Sequence, residues 1–319
     1  MADLFEQLVC DEPSRQALVA LAANPPRSPL VVISGPGDLP AQAAHAVALG
    51  MVRSEARELD VRVARPLGDR WSIAEVHEQI IAPSHLRAID RSVIVVDRAE
   101  SMDVAAAEHL LKTVEEPPAG CIFIFAVASQ NGLLPTLRSR VAVEVVVNLA
   151  SPATRAAGLA SRLNIDLAIA QSVVDRCGVL TALAERVLVA PDDKLVALDV
   201  FATPVFSLTP TTSAVSCVAM LEALAQLGDP FDVQGVASKN DAVVRSRVRT
   251  LARHLLACWA SQVSAELASE KLDRFVFAKC VLLADAIDEA HGQLVRYAPT
   301  RNVLAALLMA ASSFDRQTL

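Results

Sequence analysis

Apolar runs and amphipathic segments alternate along the middle of the chain. Residues 92–97 (SVIVVD) form a run rich in β-branched side chains that closes on an acid, which predicts a buried strand with a carboxylate at its C-terminal tip. Residues 105–114 have helical periodicity, and Pro117 ends it because the residue before a proline is pushed out of the helical region. Residues 121–128 are apolar on both faces, which indicates a parallel strand covered on both sides. Strand, helix and strand make one right-handed βαβ unit, and residues 143–147 predict a further strand.

The N-terminal part of the chain predicts a strand, a glycine-containing loop and a helix. Residues 1–23 are amphipathic and predict two short helices broken at Pro13. A strand is predicted over 30–34, a turn over 35–37 (GPG) and a helix over 40–51. This order is the one in which nucleotide-binding folds place their phosphate loop.

After residue 149 the pattern is helical. Short helices are predicted over 151–163, 166–177 and 179–189, with one more in the stretch 192–208. Longer helices are predicted over 213–227, 241–269, 272–295 and 301–312. The predicted domains are therefore an α/β domain (1–150), a small helical domain (151–208) and a helical C-terminal domain (209–319).

Composition narrows the class of protein. The chain has 319 residues, of which 53% are hydrophobic, and no apolar run reaches the ~18 residues that span a bilayer. The acidic N-terminus lacks the shape of a signal peptide, so a cytoplasmic protein without a membrane contact is predicted. The formal net charge of −7 argues that any contact with DNA is shared with partner proteins. Six scattered cysteines are predicted to be small buried hydrophobic residues.

The loop after the first strand lacks the groups that grip a phosphate. A working phosphate loop reads G-x-x-x-x-G-K-[ST], in which backbone N–H groups and the lysine hold phosphates and the hydroxyl holds magnesium. Counted from Gly35, the last three of these positions hold Pro40, Ala41 and Gln42. Proline removes an N–H donor, and Asp38 puts negative charge where a polyphosphate would sit. The turn from Gly35 to Gly37 is therefore predicted to cap a helix rather than to bind a nucleotide.

Two short sequence motifs in the middle of the chain are specific enough to compare with a known family. Residues 110–118 (LLKTVEEPP) and 134–140 (LPTLRSR) resemble the clamp-loader branch of the AAA+ ATPases, in particular its delta-prime type in bacterial DNA polymerase III. The resemblance is strong over 90–147 and weaker but collinear elsewhere. It implies an α/β AAA+ module with a parallel sheet and flanking helices, a small helical lid and a C-terminal all-α collar domain.

The resemblance also points to a hydrolytic site that this sequence has lost. In active relatives a glutamate that positions the attacking water follows the acid at the strand end, whereas here Arg98 follows Asp97 and Glu100 lies further on. Asp97 is predicted to satisfy a helix N-terminus rather than to bind magnesium. The polar residue expected after the second strand has no clean counterpart in 128–130. Many delta-prime relatives carry a four-cysteine zinc module, but residues 51–92 contain no cysteine, so no metal site is predicted.

One arginine keeps a family motif. Ser139 and Arg140 match the Ser-Arg-Cys motif of the family, with Val141 in place of the cysteine. The resemblance implies that this arginine reaches the phosphates of a neighbouring subunit, where it stabilises the charge developing on the γ-phosphate. The alternative is an ordinary basic residue on a solvated loop. By the same resemblance the acidic turn 115–118 implies a subunit contact, and an exposed turn is equally compatible with the pattern.

These features favour a structural clamp-loader subunit that does not hydrolyse ATP itself. It is predicted to bind no cofactor productively and to act, through Arg140 with Ser139 beside it, on ATP held by a neighbouring subunit. The predicted partners are the other clamp-loader subunits (gamma/tau and delta type), the sliding clamp indirectly, and primed DNA as part of the complex that replicates DNA. Two alternatives stay open, namely an active AAA+ clamp-loader ATPase and a non-catalytic helical interaction protein.

Overall fold

A computed structural model describes residues 2–26, 30–53, 56–190, 196–202, 205, 214–227, 241–268, 274–296 and 298–312. The chain divides into two compact units, residues 1–182 and 183–319, which are treated separately below. The finer division into an α/β domain, a lid and a collar stays a prediction.

The first unit is built on five strands in the order β2-β3-β4-β1-β5, and every pair of neighbours is parallel. The strands are β1 (Leu30–Ser34), β2 (Val61–Ala64), β3 (Ser92–Val96), β4 (Cys121–Val127) and β5 (Val143–Val146). Four of them were predicted, and the short edge strand β2 was not. Its sequence, VRVA, is too short and too polar to stand out from a loop.

The three central strands are buried along their whole length, as continuous apolar runs predict for a parallel sheet covered on both faces. Edge strand β5 instead alternates between half-buried and exposed positions. Asp60, at the end of the short helix before β2, is buried and accepts hydrogen bonds from the backbone N–H groups of Ile89, Asp90 and Arg91 at 2.6–3.2 Å. This contact ties the entry of β3 to the edge of the sheet.

Helices cover both faces of this sheet. The helices of the first unit are α1 (Ala2–Glu6), α2 (Glu12–Ala23), α3 (Leu39–Met51), α4 (Arg57–Asp60), α5 (Ile73–Val76), α6 (Ala82–Ser84), α7 (Val104–Glu115), α8 (Pro135–Arg138), α9 (Pro152–Leu163) and α10 (Leu167–Cys177). The last two pack against each other. A π-helical turn, His77–Ile81, joins α5 to α6. Pro13 lies in the first turn of α2, where its missing N–H costs nothing, and Asp11 caps that helix through the N–H of Ser14 at 3.0 Å. The predicted break therefore precedes Pro13 instead of falling on it.

Every secondary-structure element described in the second unit is a helix. Its elements are α11 (Thr181–Val189, which begins in the first unit), α12 (Asp199–Ala202), α13 (Ala214–Ala225), α14 (Asp241–Leu267), α15 (Arg274–Val295) and α16 (Thr300–Ser312). Trp259, Leu255 and Leu304 are among its fully buried side chains. Much of the predicted helical stretch 192–208 and the start of the helix predicted at 272 lie outside the described residues.

Three further findings concern the cysteines, the helices and possible metal ligands. All six cysteines are free, and five of them are buried. No helix in the described ranges is both long and apolar enough to cross a membrane. Within the same ranges, no group of three or more His, Cys, Asp or Glu side chains is arranged to hold a metal ion.

Candidate functional site

The loop after β1 packs closely against the ends of neighbouring strands. The backbone N–H of Gly35 donates to the carbonyl of Val127, the last residue of β4, at 3.2 Å. A Cβ atom at Gly35 would lie 2.4 Å from the carbonyl oxygen of Val147, just beyond β5. Glycine is required here because the chain itself fills the space next to the loop.

Gly37 makes a second close approach, to the turn that precedes α11. Its φ of +62° lies in the left-handed region, and a Cβ atom there would lie 2.0 Å from the carbonyl oxygen of Val179. In phosphate-binding loops, glycine lets a phosphate approach the backbone. Here a carbonyl group of the same chain occupies the approach to Gly37.

The carboxylate of Asp38 is committed to the first turn of α11. It accepts hydrogen bonds from the N–H of Thr181 at 3.1 Å, the hydroxyl of Thr181 at 2.6 Å and the N–H of Ala182 at 2.7 Å. The two N–H donors are among those that a helix N-terminus leaves without a partner inside the helix. Burial raises the pKa of Asp38, and the hydrogen bonds from Thr181 and Ala182 oppose that rise.

The predicted phosphate-loop positions meet in one place, but their side chains face the chain itself. Gln42 donates from Nε2 to the hydroxyl of Thr181 at 2.9 Å, which adds to the contact made by Asp38. Pro40 and Ala41 are buried in the first turn of α3, where an active loop would carry a glycine and a lysine. No cationic side chain of α3 is therefore available for a phosphate.

Sequence reasoning missed the residues that close this loop from the other side. Arg155, on α9, is buried and donates from Nη1 to the carbonyl of Gly178 in the turn before α11. Burial lowers the pKa of Arg155, and the nearby charges of Asp175, Cys177 and Asp38 oppose that change. The signal in the sequence was weak, because Thr181 stands 143 positions from Asp38, the loop residue that it contacts, and Arg155 contacts only the turn before α11.

The closeness of these contacts gives a first prediction. Replacing Gly37 by alanine should destabilise the chain by roughly 2–3 kcal/mol, because it adds left-handed strain and forces the carbonyl of Val179 away. The matched control is Gly158→Ala, since Gly158 lies inside α9 with nothing within 4 Å of its added Cβ. That control should be neutral or gain about 0.5–1 kcal/mol from better helix propensity. Urea unfolding measures both, and a Gly37→Ala chain as stable as the wild type would mean that the turn at Val179 does not rest on this loop.

The strand-end acid makes a different contact from the one predicted. The carboxylate of Asp97 forms an ion pair with Nε of Arg65 at 3.0 Å, and the backbone carbonyl of Asp97 accepts from Nε1 of Trp71 at 3.1 Å. The prediction that Asp97 satisfies a helix N-terminus is wrong. Arg65 directly follows β2, and β2 pairs with β3. This pairing places the guanidinium of Arg65 next to the carboxylate of Asp97 at the end of β3.

Arg98 and Glu100 follow in the same turn and point in different directions. Arg98 has a left-handed backbone (φ 51°, ψ 45°) and donates from Nη2 to the carbonyls of Pro66 at 3.1 Å and Gly68 at 2.9 Å. Glu100 accepts from the N–H of Ala128 at 3.4 Å, beside the end of β4. Burial raises the pKa of Glu100, and the charge of Asp97 adds to the rise. This turn therefore brings a carboxyl group to the end of β4, which the chain positions of Asp97 and Arg98 did not suggest.

Arg140 lies at the surface, away from the core of its own unit. Its side chain is 33% exposed, and Nε donates to Glu115 at 2.8 Å. Nη2 also contacts Glu115, Nη1 contacts the carbonyl of Thr136, and Nη1 donates to the hydroxyl of Ser139 at 3.1 Å. Ser139 in turn donates to the carbonyl of Thr136 at 3.1 Å. The structure thus brings Ser139 and Arg140 together and adds Glu115, whose pairing with Arg140 the sequence did not predict.

The middle of the chain is similar in sequence to known proteins. Residues 54–150 match the family described as DNA polymerase III, delta subunit. Over 48 residues the chain is 50% identical to DNA polymerase III subunit gamma/tau of Mycobacterium tuberculosis and of Mycobacterium bovis. That alignment covers 15% of this chain and 8% of those proteins, so it spans only a small part of the length of these relatives.

A solved structure extends the comparison to the fold of nearly the whole chain. A DNA polymerase III gamma subunit-related protein of Thermotoga maritima matches with a TM-score of 0.51 and 17% sequence identity, over 94% of this chain and 99% of that one. At this identity the likeness concerns the fold alone. The parallel sheet in the order β2-β3-β4-β1-β5 with flanking helices, and its likeness to that structure, confirm the predicted fold of the α/β module. The family match and the short alignment support the predicted resemblance to a clamp-loader-type subunit of DNA polymerase III, and the solved structure adds a likeness of fold.

Proposed function

We propose that this chain is a delta-prime-type subunit of the DNA polymerase III clamp loader that does not hydrolyse ATP. It supplies a structural interface, and it supplies Arg140 to the ATP site of a neighbouring subunit during sliding-clamp loading. The observation that carries the proposal is the engagement of the loop after β1 with its own chain, through Asp38 and Thr181. A second observation, the surface position of Arg140, supports the trans role.

The absence of hydrolysis follows from what the loop offers a nucleotide. An active site stabilises a triphosphate with backbone N–H groups, a lysine and a magnesium ion held by carboxylate and hydroxyl groups. Here Pro40 and Ala41 supply neither the glycine backbone nor the cation, and Asp38 adds a buried carboxyl group at the same place. A polyphosphate would have to break the Asp38–Thr181 contact and accept the repulsion of that carboxylate.

The positive side of the proposal concerns Arg140. A guanidinium presents a planar fork of N–H donors that matches phosphate oxygens, and its charge persists at any physiological pH. An arginine supplied in trans raises hydrolysis by ~10³–10⁵ in other NTPases. Arg140 stands on the turn after α8, near enough to the surface for a neighbouring subunit to reach it.

The partners follow from this role. They are gamma/tau and delta-type subunits, with the sliding clamp and primed DNA engaged through the assembled complex. ATP is bound by the neighbour, and this chain needs no cofactor of its own. The formal charge of −7 fits a subunit whose contacts are made with proteins more than with phosphate backbones.

Reconstitution tests whether the chain is a loader subunit at all. Mixing it with gamma/tau and delta subunits should give a stable complex that contains this chain, and native mass spectrometry gives its composition. The same mixture without this chain is the control. If the chain stays outside every assembly, the loader role is wrong, and the result favours a helical interaction protein.

An active ATPase is the second candidate, because the Glu100 carboxyl group reaches the end of β4. In that candidate Glu100 would position the water that attacks the nucleotide, although it lies further along the chain than the glutamate of active relatives. The candidate requires a phosphate site in spite of Pro40 and Ala41, and direct measurement of ATP binding separates it from the first.

A further inference from the structure

The guanidinium of Arg140 is almost fully occupied by its own chain. Nε and Nη2 both contact the same oxygen of Glu115, the former at 2.8 Å. Nη1 contacts the carbonyl of Thr136 and the hydroxyl of Ser139, the latter at 3.1 Å. Every nitrogen of the side chain therefore has a partner within the first unit.

This occupancy conflicts with a direct contact to a neighbour's phosphate. A guanidinium has five N–H donors, and it grips a phosphate through two parallel N–H groups on one edge. With one edge on Glu115 and Nη1 shared between Thr136 and Ser139, no complete edge is free. Arg140 must release Glu115 before it can bind a phosphate in the bidentate manner.

We infer that Glu115 holds Arg140 in a resting position, and that the triphosphate of the neighbouring subunit displaces Glu115 when the loader engages. The inference rests on the proposed function, since it regulates the same trans site. Glu115 is thus a positioning residue that makes no contact with the substrate. The two anions compete for one cation, and the state of the assembly decides which of them holds it.

The strength of the Glu115–Arg140 pair suits an exchangeable contact. The two side chains are 45% and 33% exposed, and exposed pairs contribute little because water and salt screen them. Glu115 is also the last residue of α7, where the helix dipole disfavours a negative charge. Arg140 offsets that unfavourable placement, whereas a polyphosphate with several charges attracts the arginine more strongly than one carboxylate does.

The test is the ATPase rate of the reconstituted loader that carries Glu115→Gln in this subunit. Glutamine keeps the shape and removes the charge, so Arg140 should leave its resting position more often. We expect the rate without clamp and DNA to rise about two- to five-fold, because an exposed ion pair shifts an equilibrium by about that factor. The rise should lie in kcat with KM nearly unchanged, since the fraction of engaged arginine changes while ATP binding does not.

The matched control is Glu108→Gln, which removes the same charge two turns earlier on α7, at another exposed position. Glu108 does not contact Arg140, so this variant should keep the wild-type rate. The Glu115→Gln change should also disappear in an Arg140→Ala background, because it acts through that side chain alone. Complex mass and Tm are compared throughout, to separate the effect from altered assembly.

The outcomes separate this inference from the proposed function. If Arg140→Ala slows the loader while Glu115→Gln leaves it unchanged or slows it, the resting contact is wrong and the trans arginine stands. If Arg140→Ala has no effect, the trans arginine itself is wrong, and the inference is lost with it. A rise in kcat that persists in the double variant also overturns the inference, since Glu115 then acts through another group.

Discussion

Arg140→Ala should leave the clamp loader assembled and slow hydrolysis at one neighbouring ATP site by about 10³-fold or more. The guanidinium is expected to act in the transition state, where charge develops on the γ-phosphate, so kcat at that site should fall more than KM rises. Single-turnover hydrolysis by the complex, with clamp and primed DNA present, should resolve the affected site as a separate slow phase.

Two companion variants sharpen this result. Arg140→Lys keeps the charge but loses the planar fork, and it should recover little of the lost rate. Arg138, the last residue of α8, is the other cation close to Arg140 in the sequence, and its Nη1 donates to Asn131 at 2.8 Å. A loader that carries Arg138→Ala should hydrolyse ATP without the slow phase that is expected for Arg140→Ala. If the slow phase follows Arg138 and not Arg140, the role has been assigned to the wrong arginine.

The isolated chain should not be stabilised by ATP. A ligand that binds with a Kd of 1 μM and is present at 1 mM stabilises a protein by about 4 kcal/mol, which raises Tm by on the order of 10 °C for a domain of this size. For this chain we expect no change in Tm with millimolar Mg·ATP. The reason is that Asp38 of this loop already binds Thr181 and that the loop lacks the lysine that would hold phosphate.

A gamma/tau subunit with an intact phosphate loop is the positive control for this measurement, and its Tm should rise under the same conditions. Isothermal titration of ATP into the isolated chain then gives the affinity directly. Micromolar binding would reject a non-hydrolysing subunit and favour the active ATPase, with Glu100 as the residue to test next.

Local sequence pattern was sufficient to predict every strand of the sheet except the edge strand β2. Strands β1, β3 and β4 are continuous apolar runs, so their burial on both faces was readable without any partner. Strand β2 has four residues, one of them Arg62, and only its pairing with β3 makes it a strand. Secondary structure that depends on a neighbour in space leaves little trace in its own sequence.

The same limit applies to the candidate site. The loss of the phosphate loop was visible in Pro40 and Ala41, because those residue types cannot do what the motif requires. What took its place was not visible, since Thr181 meets Asp38 from 143 positions away along the chain. Likewise Arg140 was found from its motif, whereas its pairing with Glu115 joins side chains 25 positions apart. Contacts of this kind depend on the packing of helices that a single sequence does not specify.

Binding of a transition-state analogue tests the central claim most directly. ADP–aluminium fluoride is titrated onto loaders that carry either the wild-type subunit or Arg140→Ala, and the affinity and number of sites are measured. If Arg140 stabilises the transition state in trans, one site per copy of this chain should lose about 10³-fold in affinity for the analogue, while ADP binds unchanged. Equal affinity at every site in the two complexes would contradict the role of Arg140, whatever the rate of hydrolysis.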